Sequence, residues 1–258
     1  MEGKLMKLDI QKADIWKRLS AFMFDSVLIV MVAVGISAIF SIFLSYGEHY
    51  DTLSSVEMEY SEKYGIDLEL TPEEYEKLDE TEKQKYETAN AEFQKDERAI
   101  YAYNMLLNLS LIILTLSLLI AFVGLELVVP IFLGHGRTLG KKIFGIAVMR
   151  TSGVKLDGQA HFIRSILGKY TMETMIPVYI VLMILFGTLG ATGTIILLLI
   201  LGLQLFTIFY TRTRSAIHDL ISDTVVVDYN SQLIFDTEED LIAYKTKLHA
   251  DEANKKEY

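Results

Sequence analysis

Apolar positions in this chain come in long unbroken runs, not in short periodic pieces. Ala21 to Leu44 is apolar or small except for Asp25, and this first run is placed at about residues 19–44. A second run, about 104–133, is interrupted by Glu126, and a third block covers about 173–210. One bilayer crossing needs about 20 apolar residues, so the pattern predicts membrane-spanning helices. As one helix the third block would measure roughly 57 Å at about 1.5 Å per residue, too long for one crossing. Its middle, Phe186-Gly187-Thr188-Leu189-Gly190-Ala191-Thr192-Gly193, reads as a tight turn between two spans, about 174–188 and 192–211. The prediction is an all-α membrane protein with four transmembrane helices.

Four spans return both termini to one side. The segments 1–20, 134–172 and 211–215 are basic, carrying Lys4, Lys7, Lys12, Lys17 and Arg18, then Arg137, Lys141, Lys142, Arg150, Lys155, Arg164 and Lys169, then Arg212 and Arg214. Placing them in the cytoplasm satisfies the positive-inside rule, whereas three spans would put Arg212 and Arg214 outside. The net charge of −10 is concentrated between spans one and two, where residues 46–103 hold 17 acidic and 6 basic side chains. Such a balance gives no basic face for nucleic acid. With no cysteine there is neither a disulfide framework nor a thiolate metal site. That fits a reducing compartment or a bacterial envelope, without choosing between them. The first run is too long for a secretory leader and is expected to stay as an anchor in the plasma membrane.

The acidic segment 46–103 has its own helical grammar. Asp51 to Tyr64 reads as a helix stopped by Gly65. Thr71-Pro72-Glu73-Glu74 reads as a helix start, with Thr as N-cap and Pro in the first turn. No breaker follows until Gly124, so the second helix is expected to run unbroken into span two. Together they predict an antiparallel helical hairpin outside the membrane, with Tyr75, Leu78, Tyr86, Ala89 and Phe93 on its inner stripe. In the loop 134–172, Ile143 to Met149 is β-like, with a turn at Thr151-Ser152-Gly153 and a partner at Val154 to Leu156. An amphipathic stretch with Phe162, Ile163, Ile166, Leu167 and Tyr170 on one side suits the membrane interface. Val225-Val226-Val227 is strand-like, and residues 231–258 form a tail with a helix from about Thr237 to His249.

Candidate chemistry lies in the ionisable groups inside or beside the spans, since a charge in hydrocarbon is costly and marks a functional site or an internal tie. Arg18 and Asp25, seven apart, fall on one helix face about 10 Å apart. Glu126 lies near the same depth as Asp25, so the two carboxylates are candidates to share a proton or hold a cation, although helix rotation stays open. Enzyme signatures fail. Gly134-His135-Gly136-Arg137-Thr138-Leu139-Gly140-Lys141-Lys142 has His135 and Lys142 where a P-loop needs Gly and Ser or Thr, and Leu139 breaks a dinucleotide fingerprint. The five histidines have no metal-ligand spacing. No catalytic residue, metal or cofactor is expected. Gly136 and Gly140 are expected to let the chain turn as it leaves span two.

Three blocks in order make the chain resemble the RDD family of integral membrane proteins, named for one arginine and two aspartates. They are Trp16-Lys17-Arg18-Leu19-Ser20-Ala21-Phe22-Met23-Phe24-Asp25, then Gly136-Arg137-Thr138-Leu139-Gly140-Lys141-Lys142-Ile143-Phe144-Gly145-Ile146-Ala147-Val148 with Gly153 and Arg164, and then His218-Asp219-Leu220-Ile221-Ser222-Asp223-Thr224-Val225-Val226-Val227. The resemblance implies that Arg18, Asp25 and Asp219 are the name-giving charges. It also implies a membrane domain over 13–230, interrupted by the hairpin at 46–103. Leu139 and the Ser222-Asp223 pair depart from the family's usual Pro and Ala-Gly. Two functions follow as expectations. One is small-ion transport of the Na+/H+ exchange type, with Asp25 and Glu126 as the site and Arg18 and Asp219 as a gate. Four spans make a thin wall, so a homo-oligomer would complete it. The other is a scaffold or regulator recruiting a protein partner through the acidic hairpin.

Overall fold

The computed structural model describes residues 10–185, 187–211 and 215–256. Lys4 and Lys7 of the basic N-terminus, Phe186 of the expected turn, and Arg212 and Arg214 lie outside the described residues. In order the elements are α1 (Ile15–Phe43), α2 (Tyr46–Tyr64), α3 (Pro72–Glu76), α4 (Glu80–Phe93), α5 (Glu97–Leu133), α6 (Leu139–Ile143), β1 (Ile146–Arg150), α7 (Gly158–Leu185), α8 (Gly190–Tyr210), α9 (Ile217–Ile221), β2 (Thr224–Asp228) and α10 (Glu238–Lys256). Among the described residues four helices, α1, α5, α7 and α8, are long and apolar enough to cross a bilayer. They match the four expected spans, with one correction. The amphipathic stretch after Gly158 is not a separate interfacial helix; it is the first half of the third long helix, which begins at Gly158 and not near residue 174.

Two of these helices widen into π-helix, α5 at Val123–Val128 and α7 at Ile163–Met175. Each widened stretch ends two residues before a proline, Pro130 or Pro177. A proline has no N–H and clashes with the carbonyl four residues back, and a wider ladder just upstream accommodates both. Both prolines are therefore carried inside long helices without ending them.

The chain divides into two compact units, one of Val32–Leu118 and one of the residues on either side. In the first, α2 begins at Tyr46 right after Ser45, which sits at φ 51, and ends at Gly65 with φ 63 and its N–H on the Glu62 carbonyl. The expected Thr71 capping box is present. The helix from Pro72 does not continue into α5, contrary to expectation. It breaks after Glu76 and again after Phe93, because two aspartates restart it. The Asp79 carboxylate accepts the Thr81 and Glu82 amides at 2.8 Å, and Asp96 accepts the Arg98 amide at 2.8 Å. Aspartate competes for backbone donors in this way and so favours a cap over a helix interior. The hairpin itself forms as expected: Tyr60 meets Phe93 edge-on, Tyr75 meets Tyr86, and Ala89 is fully buried.

In the other unit β1 and β2 pair antiparallel from Ile146↔Asp228 to Arg150↔Thr224. The expected turn at 151–153 forms, but Val154–Leu156 makes a single bridge to β1, Met149↔Lys155, and another to Phe235. The ladder partner of β1 is the valine run, and Ile143 belongs to α6. Val225–Val227 offers a β-branched strand buried on both faces, which the short Val154–Leu156 piece cannot match. The chain before α1 lies along the other edge of β2, with Ala13 N–H on the Val226 carbonyl at 3.1 Å and Asp228 N–H on the Gln11 carbonyl at 3.0 Å. A core of Ala13, Ala21, Ile146, Val148, Ala160 and Val226 joins this small sheet to the base of α1 and the start of α7.

Candidate functional site

All the singled-out charges fall in the unit that holds the sheet, and they are buried: Asp25, Glu126 and Asp219 are 5%, 2% and 0% exposed. Removing a carboxylate from water is tolerated only where partners replace the lost hydration. Each has such partners.

Asp25, on α1, is held by the N-terminus of α6. Its Oδ2 accepts the Thr138 hydroxyl at 2.5 Å and its Oδ1 accepts the Gly140 amide at 2.8 Å. Thr138 is the N-cap of α6, so the same hydroxyl accepts the Lys141 amide at 3.3 Å. A Cβ on Gly140 would lie 2.5 Å from the Ala21 carbonyl oxygen and 3.0 Å from the Asp25 carboxyl. Gly140 is therefore not the turn glycine expected; it lets α6 touch α1. The turn belongs to Gly134, His135 and Gly136, all at positive φ, and Gly136 takes the expected role.

Asp219, on α9, joins Arg164 of α7 to Arg18 of α1. Arg164 donates through Nε at 3.0 Å and Nη2 at 2.8 Å to Oδ1, and Arg18 reaches Oδ2 at 3.3 Å. The Thr224 hydroxyl adds a 3.3 Å bond to Oδ1. Burial alone would push this carboxyl up, but the charges of His218 when protonated, of Arg164 and of Arg18 outweigh it and hold it below the ordinary range. The expected meeting of Arg18 with Asp219 is present, with Arg164 as the stronger partner.

A family model described as the RDD family matches residues 12–223. The chain belongs to the RDD family. No curated protein and no solved structure matches it at a significant level. The RDD match covers all three name-giving charges, and the four apolar helices make the chain a membrane protein.

Of those charges, the RDD domain brings Arg18 and Asp219 into contact and gives Asp25 separate partners. Glu126 sits on the π-widened turn of α5 and faces the π-widened turn of α7. There it forms an ion pair with Lys169, and the Ser165 hydroxyl donates to the Glu126 carbonyl at 2.7 Å. Lys141 Nζ stands 3.9 Å from Glu126 Oε2 and 3.4 Å from the Thr138 hydroxyl. Asp25 and Glu126 therefore do not bond to each other. Each has its own partners, and Lys141 reaches both neighbourhoods. Glu126 Oε2 is fully buried and accepts no hydrogen bond from the described residues. Burial lowers the Lys141 ammonium to about 8; Glu126 and Asp25 oppose the fall, and Arg164 and Lys169 add to it.

Four members of this network were not foreseen as site residues: Lys169, Ser165, His218 and Glu173. Glu173 had marked only the edge of an apolar block, and Lys169 only the polar side of an amphipathic stretch. The signal that would have found Ser165, Lys169 and Glu173 is their spacing with Arg164 on a continuous helix, together with Pro177, which announces a distorted turn; His218 had only its place beside Asp219. In chemical terms the arrangement offers one carboxylate oxygen without a hydrogen bond, two ammonium groups beside it, and one of these titrating close to neutral pH.

Proposed function

We propose that this RDD-family protein exchanges protons for a small cation such as Na+ across the membrane, with Glu126, Lys141 and Lys169 as the ion site. The observation that carries this reading is the pairing of a buried, unbonded Glu126 oxygen with a lysine whose burial lowers it to about 8. When Lys141 gives up its proton, Glu126 keeps only Lys169 as counter-charge, and Oε2 becomes a place for a cation. When the cation leaves, Lys141 takes a proton back. The charge of the site is the same in both states, so neither leaves an uncompensated ion in a low-dielectric interior. Asp25 acts beside this site through Thr138, which touches Lys141, and Arg18 with Asp219 and Arg164 forms the gate at the sheet end of the spans. The basic residues at that end support a cytoplasmic placement.

The test is sodium-dependent proton flux in proteoliposomes containing the full chain. Wild type is expected to carry flux, and Glu126→Gln, near-isosteric and unable to bind a cation this way, is expected to fall to the level of protein-free vesicles. Flux in Glu126→Gln equal to wild type across the pH range would overturn the assignment.

A second reading, a scaffold that recruits a protein partner, is favoured by the hairpin. Residues 46–96 fold onto their own buried residues Val56 and Ala89, and the hollow among Ser54, Glu57, Glu62 and Glu69 has an acidic wall suited to a basic partner. Under that reading the buried charges are structural ties alone, and Glu126→Gln changes stability without any flux to lose.

A further inference from the structure

His218 and its partner Glu173 belong to the network but take no part in the proposed exchange. Its surroundings are closely defined. A Cβ on Gly168 would lie 2.6 Å from His218 Cβ, so α7 and α9 touch at this point and the imidazole has little room to swing. Nδ1 lies 2.6 Å from Glu173 Oε2, and the His218 amide donates to Glu173 Oε1 at 2.9 Å. Nε2 lies 3.1 Å from Arg164 Nη2 and 3.4 Å from Asp219 Oδ1.

These contacts assign the proton. A guanidinium only donates, so the nitrogen facing Arg164 must accept. A carboxylate only accepts, so the nitrogen facing Glu173 must carry hydrogen. When the ring is neutral it is the Nδ1–H tautomer, fixed by the bond its other nitrogen makes. The charged groups facing it are Arg164 and Glu173 from α7 and Asp219 from its own helix, with Arg18 of α1 one step away across Asp219. Among the described residues β2 adds the Thr224 hydroxyl, which donates to Asp219, and α8 adds the uncharged Gln204, whose side-chain oxygen accepts the neighbouring Ile217 amide.

We propose that His218 is a proton-binding switch: a proton taken from water at Nε2 turns that nitrogen from acceptor to donor, and Asp219 Oδ1 passes from Arg164 to the imidazole. The new N–H faces a guanidinium at 3.1 Å, which is a donor against a donor and a cation against a cation. The nearest acceptor is Asp219 Oδ1, the oxygen that now holds both Arg164 bonds. Asp219 keeps the Thr224 hydroxyl on Oδ1 in both arrangements. Glu173 remains on Nδ1–H and Arg18 remains on Oδ2, so one partner alone changes. The released Arg164 is also one of the charges that depress Lys141, so the swap is felt at the ion site. In this respect the inference deepens the exchange reading by naming its regulation from the sheet end, yet the swap itself requires no transport.

The test is 15N magic-angle-spinning NMR of the full chain in lipid bilayers. Histidine signals are assigned with His218→Gln, and the Arg164 side-chain signal with Arg164→Lys. The neutral ring of wild-type His218 is expected to carry its proton on Nδ1, with Nε2 bare. On acidification the Arg164 Nε–H signal is expected to move in step with protonation of His218, and to stay in place in His218→Gln. Two results would overturn the switch: a neutral ring protonated on Nε2, or an Arg164 signal that moves equally with and without the imidazole. The first is read on wild type, so the proposal remains falsifiable if His218→Gln fails to fold. Neither readout involves flux, so a failure of the exchange assay is distinguishable from a failure of the switch.

Discussion

At Lys141, burial lowers the ammonium to about 8, against about 10.4 for a free lysine. Between those two values the unfolded chain binds the proton and the folded one does not, so stability is expected to rise as pH climbs from about 8 towards about 10.4, and to lose that slope below 8. Detergent-solubilised protein unfolded at a series of pH values checks the sign. Lys141→Met, which keeps an unbranched stem and removes the titration, is expected to flatten the slope relative to wild type. Lys141 was already a motif residue in the sequence, as were Arg18, Asp25 and Asp219, and Glu126 stood out as a carboxylate within an apolar run. The sequence could not show which way each faces. Thr138 and Asp25 are 113 residues apart, and Arg18 and Asp219 are 201 apart. Pairings over such separations depend on helix rotation, which hydrophobic runs leave undetermined when every face is apolar. The same ambiguity made Gly140 read as a turn glycine, whereas its lack of a side chain serves a contact with α1.

Among the elements, the hairpin was the most readable because caps are local. Thr71, Pro72 and Gly65 announced their roles within four residues of sequence, and the structure has all three in place. Asp79 and Asp96 were missed as caps for a definite reason: each lies in a run of good helix formers, where one aspartate does not look like a boundary. Asp79→Ala is expected to cost about 1 kcal/mol at the start of α4, the usual worth of such a cap. Hydrogen exchange checks it, with the Thr81 and Glu82 amides opening roughly fivefold more often. The strands show the converse. Both were visible as β-like segments, but β1 pairs across 82 residues at Ile146↔Asp228 and 74 at Arg150↔Thr224 instead of with its near neighbour at Val154. Local pattern gave strand identity, and only packing gave the partner.

For the whole molecule, every partner of Asp25, Glu126 and Asp219 comes from the unit that excludes Val32–Leu118. Replacing residues 46–96 by a short glycine-serine loop is therefore expected to leave the Lys141 pH slope and any flux at wild-type levels. A loss of either would assign the hairpin a part in the site. The π-widened turns in α5 and α7 put Glu126 opposite Lys169, and a regular helix through either proline would rotate one of them away. The stitching of the sheet has a further consequence for biosynthesis. A ribosome releases α1, α5 and α7 before it reaches Asp219 and Val225–Val227, so Arg18 and Arg164 enter the bilayer region ahead of the carboxylate that neutralises them. The strand segment at Ala13 likewise waits for nearly the whole chain before its neighbour exists. This nascent chain must therefore pass through an interval in which Arg18 and Arg164 lack Asp219, and the arrival of β2 closes the edge along which Gln11 and Ala13 lie.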